Sequence, residues 1–242
     1  MLKLLKYEIV QSYRQYLLTF AIFLILCIMT PWLPDFISGI LASLVVFAFI
    51  GISIAINVNV ILNFNRSMYK RPGYLTLTLP VSTNKLLAVK YLGSLIWVFI
   101  GYLVLAIGIV ILSLLVGGVD FKDILEGGNI LINILGENVD GFILQIINYL
   151  AGISTMILSF FFVITLTKTK YIPKYKTALG IGIYFLGLVL IAKIISLLPI
   201  SNFISNLTFI QITICEILFN CLFAGVFYFL TIYLIDHKIE VE

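Results

Sequence analysis

The sequence predicts an all-α, polytopic membrane protein with six transmembrane helices, an N-terminal interfacial amphipathic helix, and both termini in the cytoplasm. Apolar residues make up 62% of the 242 residues and charged residues only 11%, whereas an average soluble domain has roughly 25% charged residues. A soluble globule of this size could not bury so much apolar surface. The composition therefore excludes a soluble domain, a disordered chain, a collagen-like fibre and a disulfide-stapled secreted module.

Six stretches are long and apolar enough to cross the hydrocarbon core, which takes about 20 residues of helix. They lack the period-2 alternation of barrel strands, so each is predicted to be a helix and the chain 1–242 a single transmembrane domain. Pro31 and Pro34 end the first span and turn the chain into the second. The predicted spans are 17–34, 36–62, 91–116, 143–166, 178–198 and 209–234.

The positions of the lysines and arginines predict the orientation. Of the 15 such residues, all but two lie on one side of the membrane in the six-span arrangement; Lys122 lies on the other side and Lys193 lies within a span. Because cytoplasmic loops are enriched in Lys and Arg, segment 63–90 is predicted to be cytoplasmic and segment 117–142 extracellular. The residues on the cytoplasmic side are Lys3, Lys6, Arg14, Arg66, Lys70, Arg71, Lys85, Lys90, Lys168, Lys170, Lys174, Lys176 and Lys238.

Segment 117–142 is acidic and contains two glycine pairs, Gly117–Gly118 and Gly127–Gly128, which are expected to interrupt helices. A solvated loop is one interpretation; the other is an anionic vestibule that favours cationic molecules. Its acidic residues are Asp120, Asp123, Glu126, Glu137 and Asp140.

Residues 1–16 are predicted to form the interfacial helix. At 100° per residue, one narrow arc of the helix carries Leu2, Leu5, Ile9, Tyr13 and Tyr16. The opposite side carries Lys3, Glu8, Gln11, Arg14 and Gln15. A basic amphipathic helix of this kind lies in the plane of the anionic inner leaflet, and the alternative is an ordinary extension of the first span.

The residues that intramembrane enzymes need are missing from the predicted spans. Lys193 and Glu216 are the only ionisable side chains there, and they either form an ion pair or act separately. The single histidine, His237, follows the last span, and no GxxxxGK[ST] loop is present. The three cysteines lie in apolar runs without a CxxC spacing and are interpreted as small buried hydrophobes. We therefore expect no catalytic residue, metal or cofactor in this chain.

Segment 63–90 combines apolar and basic residues. Pro72–Gly73 stops a helix, and Ser82 is positioned as the N-cap of the next one. Leu75, Leu77 and Leu79 are too apolar for a free solvated loop, which predicts docking onto a partner, onto the membrane face, or onto both. The flanking cations are Arg66, Lys70, Arg71, Lys85 and Lys90.

Two stretches resemble the permease subunits of bacterial type-2 ABC exporters. The first is Leu4-Leu5-Lys6-Tyr7-Glu8, before the first span. The second is Gly73-Tyr74-Leu75-Thr76-Leu77-Thr78-Leu79-Pro80-Val81-Ser82, followed by Lys85-Leu86-Leu87 and Lys90. The six-span plan with both termini inside agrees with that family, and the resemblance extends over essentially the whole chain.

The resemblance implies that residues 1–16 form a connecting helix and that segment 63–90 contains a coupling helix seated in a groove of a separate P-loop ATPase subunit. Two permeases, as copies or homologues, and two ATPases then form an exporter in the bacterial plasma membrane, with ATP and Mg²⁺ on the ATPase. The implied ATPase-coupling residues are Arg66, Tyr69, Lys70, Arg71, Gly73, Tyr74, Leu75, Leu77, Leu79, Pro80 and Lys85.

Small permeases of this kind often export peptides, including bacteriocins and amphipathic toxins, so a peptide or other amphipathic cargo is expected. The alternative is a membrane-embedded immunity or scaffold protein that binds a toxin or partner without transport. Membrane lipid is an expected partner in either case. Nucleic acid is not, because the net charge of +4 is small.

Overall fold

The computed structural model describes residues 2–32, 38–69, 81–115, 118–137, 139–169, 176–197 and 208–238. Within these ranges the chain is helical and contains no β-strand, which confirms the all-α prediction. Thr30–Trp32 forms a single turn of 3-10 helix. The helices are α1 Leu2–Met29, α2 Ser38–Tyr69, α3 Thr83–Leu115, α4 Phe121–Glu137, α5 Val139–Thr167, α6 Lys176–Leu197 and α7 Phe209–Lys238.

Five helical stretches in the described ranges are long and apolar enough to cross a membrane, as in a multi-pass membrane protein. The predicted span 178–198 falls on α6, whose described apolar part is Leu179–Leu190. Six spans, the cytoplasmic termini and the interfacial N-terminal helix therefore stay predictions. The five stretches are Leu2–Met29, Val46–Tyr69, Thr83–Leu115, Val139–Thr167 and Phe209–His237.

Several helices extend beyond the predicted spans. Helix α1 runs without a break from Leu2 to Met29, so residues 2–16 of the predicted interfacial helix and most of the first predicted span form one helix. Helix α2 continues past 62 to Tyr69, and α3 begins at Thr83 rather than at 91. The backbone carbonyl of Ser82 accepts hydrogen bonds from Lys85 N and Leu86 N, as expected for the predicted N-cap residue.

Helix α4 occupies most of segment 117–142, so this part of the chain is not an irregular loop. The prediction that Gly127–Gly128 interrupts a helix is wrong, because both residues lie inside α4. Gly118 has a φ of 60°, a left-handed conformation that glycine adopts without strain, and it precedes the helix. At the start of α4, Asp120 N donates to Asp123 Oδ2 and Ile124 N donates to the Asp120 carbonyl. These caps offset the low helix propensity of the glycines.

The chain divides into two compact units. The first comprises Met1–Asn63 and Leu92–Glu137. There α1, α2 and α3 pack closely: Phe23 meets Phe49 edge-on at 5.0 Å, and Gly101 and Gly108 of α3 lie against Ile56 and Phe23. The backbones approach closely at these glycines, as small residues allow between transmembrane helices.

The second unit comprises Phe64–Tyr91 and Asn138–Glu242. Helix α5 packs along α7 and also against α6. Phe162 of α5 meets Phe227 of α7 with ring centroids 5.6 Å apart, and Phe160 meets Tyr184 of α6 at 5.2 Å. Aromatic pairs at such distances stabilise a contact beyond the apolar area that they bury.

Candidate functional site

The last turns of α2 are attached to α5. Phe64 stacks on Phe161 with ring centroids 3.8 Å apart and an interplanar angle of 10°, and both rings are fully buried. One turn further along α2, the Tyr69 hydroxyl and Thr165 Oγ1 share a hydrogen bond of 2.8 Å. These two contacts fix the first part of the predicted coupling segment, residues 64–69, against α5.

The first turn of α3 is attached to the last turns of α7. Thr83 Oγ1 donates to Asp236 Oδ1 at 2.6 Å, and the Tyr228 hydroxyl donates to the Asn84 carbonyl at 3.1 Å. Two turns after Thr83, the Tyr91 hydroxyl donates to Ser154 Oγ of α5 at 2.6 Å. The chain therefore leaves the predicted coupling segment at a point held by α7 and α5.

The structure describes three of the predicted ATPase-coupling residues, Arg66, Tyr69 and Lys85. Arg66 and Lys85 are exposed, and Tyr69 is half-buried through its contact with Thr165. The other predicted coupling residues lie outside the described residues. They are Lys70, Arg71, Gly73, Tyr74, Leu75, Leu77, Leu79 and Pro80.

Glu216 belongs to a polar group between α5 and α7. Asn148 Nδ2 of α5 donates to Glu216 Oε2 at 2.7 Å, and Asn220 Nδ2 donates to Asn148 Oδ1 at 3.4 Å. Thr155 Oγ1, two turns after Asn148, donates to the Asn220 carbonyl at 2.9 Å. The carboxylate is exposed. The other ionisable residue of the predicted spans, Lys193, lies on α6 and is also exposed.

A second polar group lies in the first unit, and the sequence interpretation missed it. Glu8, placed on the polar side of the predicted interfacial helix, is only 5% exposed, and Asn63 Nδ2 donates to its Oε1 at 2.9 Å. Ser12 Oγ donates to the Glu8 carbonyl and accepts from Trp97 Nε1 at 2.8 Å. Tyr16 stacks on Trp97 with centroids 4.6 Å apart. The spacing of Glu8, Ser12 and Tyr16, every fourth residue, is the signal that places them on one helix face.

Neither polar group resembles a metal centre. No group of His, Cys, Asp or Glu among the described residues could hold a metal ion. Cys27 is buried, as interpreted from the sequence, but Cys215 and Cys221 are exposed on α7. Their apolar sequence context indicates burial, but the described part of the chain leaves both side chains exposed.

No protein-family model, curated protein or solved structure matches this chain.

Proposed function

We propose that this chain is the transmembrane permease subunit of an ATP-driven ABC exporter in the plasma membrane of a bacterium. It moves a peptide or other amphipathic cargo out of the cell. The energy comes from a separate P-loop ATPase subunit, which binds ATP and Mg²⁺. A second permease, either a copy of this chain or a homologue, completes the path across the membrane.

One observation supports this proposal most directly. The parts of segment 63–90 near its start and near its end both contact helices of the second unit. Tyr69, near the start of the segment, forms a hydrogen bond with Thr165 of α5. Thr83, near its end, forms a hydrogen bond with Asp236 of α7. A partner that docks between these two points would act on α5 and α7 through short, well-defined contacts. A loosely tethered loop would instead lose the displacement before it reached the spans.

The mechanism is alternating access. ATP binding closes the ATPase dimer and shifts the coupling segment, and that shift carries the neighbouring ends of α5 and α7 with it. The permease pair then opens outward and releases the cargo. In this scheme the ATPase supplies the free energy, while the permease supplies the path and the selectivity.

Purification of the full-length chain from its host in mild detergent tests the proposal. The wild-type chain should bring down a P-loop ATPase, identified by mass spectrometry. Leu77→Asp should reduce the ATPase yield strongly, because a charge buried in an apolar groove costs on the order of several kcal/mol. Leu77→Met, which keeps the apolar side chain, is the matched control and should retain the ATPase.

Two results would contradict the proposal. One is a wild-type chain that purifies without any ATPase; recovery of a toxin instead would favour the immunity or scaffold function. The other is an equal ATPase yield from Leu77→Asp and Leu77→Met while both variants insert normally in the membrane. That second result would remove the coupling role from this segment.

A further inference from the structure

An exposed carboxylate lies within the apolar part of α7. Between Phe209 and Ile235, Glu216 is the only charged residue in the sequence. It follows Phe209 by seven residues, which is about 10 Å along the helix axis. A charged side chain at such a depth is costly and usually marks a functional site, with a partner that compensates the charge.

The surrounding amides orient this carboxylate. Asn220 Nδ2 donates to the oxygen of the Asn148 side chain, which turns the Asn148 amino group toward Glu216. Thr155 donates to the backbone carbonyl of Asn220, so the polar contact between α5 and α7 extends over two turns. The hydrogen bonds from Asn220 to Asn148 and from Asn148 to Glu216 fix the position of Glu216 Oε2, and the Glu216 side chain is exposed on α7.

Apolar side chains of α7 are exposed near Glu216. Phe219, one turn further along α7, is 50% exposed, and its ring meets that of Phe223 with centroids 4.6 Å apart. Leu222, three residues after Phe219 and on the same side of the helix, is also largely exposed. A fixed negative charge beside aromatic and aliphatic side chains is complementary to a positive charge on an apolar body, and the aromatic ring faces also attract cations.

We infer that the group formed by Glu216, Asn148 and Asn220 binds the ammonium or guanidinium group of an amphipathic cation. In the proposed exporter this ligand is the cargo, and the inference rests on the proposed function to that extent. The carboxylate pairs with the cation, Asn148 and Asn220 hold the carboxylate in place, and the apolar residues of α7 contact the ligand's hydrocarbon part. The binding step itself needs neither the ATPase nor ATP, so it can be measured on the isolated chain.

The test uses the full-length chain in nanodiscs of phosphatidylcholine and dicyclohexylcarbodiimide, an apolar reagent that modifies carboxyl groups within membranes. Mass spectrometry of the peptide that contains Glu216 measures the modification. Dodecylguanidinium, which unlike a primary amine stays protonated and does not form an amide with the activated carboxyl group, should protect Glu216 in a concentration-dependent manner. Dodecanol, an uncharged molecule with the same alkyl chain, should not. Asn148→Leu and the milder Asn148→Ser should each weaken the protection several-fold.

Glu216→Gln lacks the carboxyl group that the carbodiimide modifies, so ligand binding to this variant is measured by thermal unfolding. Dodecylguanidinium should raise the unfolding temperature of the wild-type chain relative to dodecanol, because a ligand stabilises the state that it binds. Glu216→Gln, which keeps the side-chain shape, should lose this shift. The charge-matched control Glu126→Gln on α4 and the variant Lys193→Met should both keep it.

Several outcomes would overturn the inference. They are equal protection by dodecanol, an unchanged thermal shift in Glu216→Gln, and loss of the shift in Glu126→Gln or Lys193→Met. The site would be assigned to a lipid headgroup instead if Glu216 were fully protected from modification in nanodiscs that contain phosphatidylethanolamine and no added ligand. A negative result in these binding assays would not affect the co-purification of an ATPase. The absence of an ATPase would not affect ligand binding by the isolated chain. The two proposals can therefore be rejected independently.

Discussion

The side-chain amide of Asn63 on α2 donates a hydrogen bond of 2.9 Å to Glu8 Oε1 on α1. Both side chains are buried, with 6% and 5% of their surface exposed. Ser12, one turn after Glu8, links the same face of α1 to Trp97 of α3. A buried polar contact of this kind specifies how neighbouring helices align, because any other register would break the hydrogen bond between the amide and the carboxylate.

Replacement of Asn63 tests this contact. Asn63→Ala should lower the free energy of unfolding by about 1 kcal/mol, a typical value for one hydrogen bond between transmembrane helices. Asn63→Asp should be more harmful, since it places a second carboxylate against Glu8. Thermal unfolding in detergent measures both effects, with Leu62→Ala, an exposed neighbour, as the control. An Asp variant as stable as the Ala variant would contradict the contact.

Tyr16 and Trp97 form a stacked pair, and of the two only the Trp97 side chain has a hydrogen-bond partner among the described residues. Trp97 Nε1 donates to Ser12, whereas the Tyr16 hydroxyl is buried without a partner among the described residues. Trp97→Phe should therefore cost about 1–3 kcal/mol through the lost hydrogen bond and ring volume. Tyr16→Phe should leave the unfolding temperature unchanged or raise it. If Tyr16→Phe destabilises the protein as much as Trp97→Phe does, the Tyr16 hydroxyl has a hydrogen-bond partner and this assignment of hydrogen bonds is wrong.

Helix positions could be predicted from the sequence because long apolar runs leave few other structures in a membrane protein. The start of α3 could also be predicted, because Ser82 is its N-cap residue. The contacts made by the last turns of α2 and the first turns of α3 could not. There the contacts of Tyr69 with Thr165 and of Thr83 with Asp236 continue the helices beyond the apolar runs. Hydropathy records only the preference for lipid, and these contacts join residues far apart in the sequence.

The two polar groups differ in how far the sequence predicts them. Glu216 stands out in the sequence as a lone charge in an apolar run, but its partner Asn148 is 68 residues away and gives no local signal. A helical wheel predicts that Glu8 lies on the polar side of the N-terminal helix. Its burial depends on Asn63, 55 residues away, and on the packing of α1 against α2 and α3.

The glycines of α3 mark its tightest contacts. A Cβ atom at Gly108 would lie 2.5 Å from Phe23 Cε1, and one at Gly101 would lie 2.5 Å from Ile56 Cδ1. Gly108→Ala should cost about 1–3 kcal/mol because the buried Phe23 ring must move as a whole. Gly101→Ala should cost less, since only the flexible end of Ile56 must shift.

The matched control for both variants is Gly152→Ala on α5, where a Cβ would have no atom within 4 Å. This change should be neutral or should stabilise the helix by up to about 1 kcal/mol. Thermal unfolding in detergent compares the three variants. Equal stability of Gly108→Ala and Gly152→Ala would show that α3 does not approach α1 as closely as the structure indicates.

The distribution of lysines and arginines predicts on which side each segment lies. In a cysteine-free background, a cysteine at the exposed Asn129 of α4 should react with a membrane-impermeant maleimide added to intact cells. A cysteine at position 171, in the predicted inner segment, should react only after the cells are permeabilised. Labelling of position 171 in intact cells would reject the predicted orientation.

Lys193 and Glu216 are predicted from the sequence either to pair across α6 and α7 or to act separately, and a double-mutant cycle separates these alternatives. Because Asn148 already donates to Glu216, we expect separate roles. The losses of stability in Lys193→Met and Glu216→Gln should then add to within about 0.5 kcal/mol in the double variant. The cycle of Asn148→Leu with Glu216→Gln is the control, and its losses should not add, since these two side chains share a hydrogen bond. A coupling in the lysine cycle as large as that in the asparagine cycle would instead assign Lys193 as the ion-pair partner of Glu216.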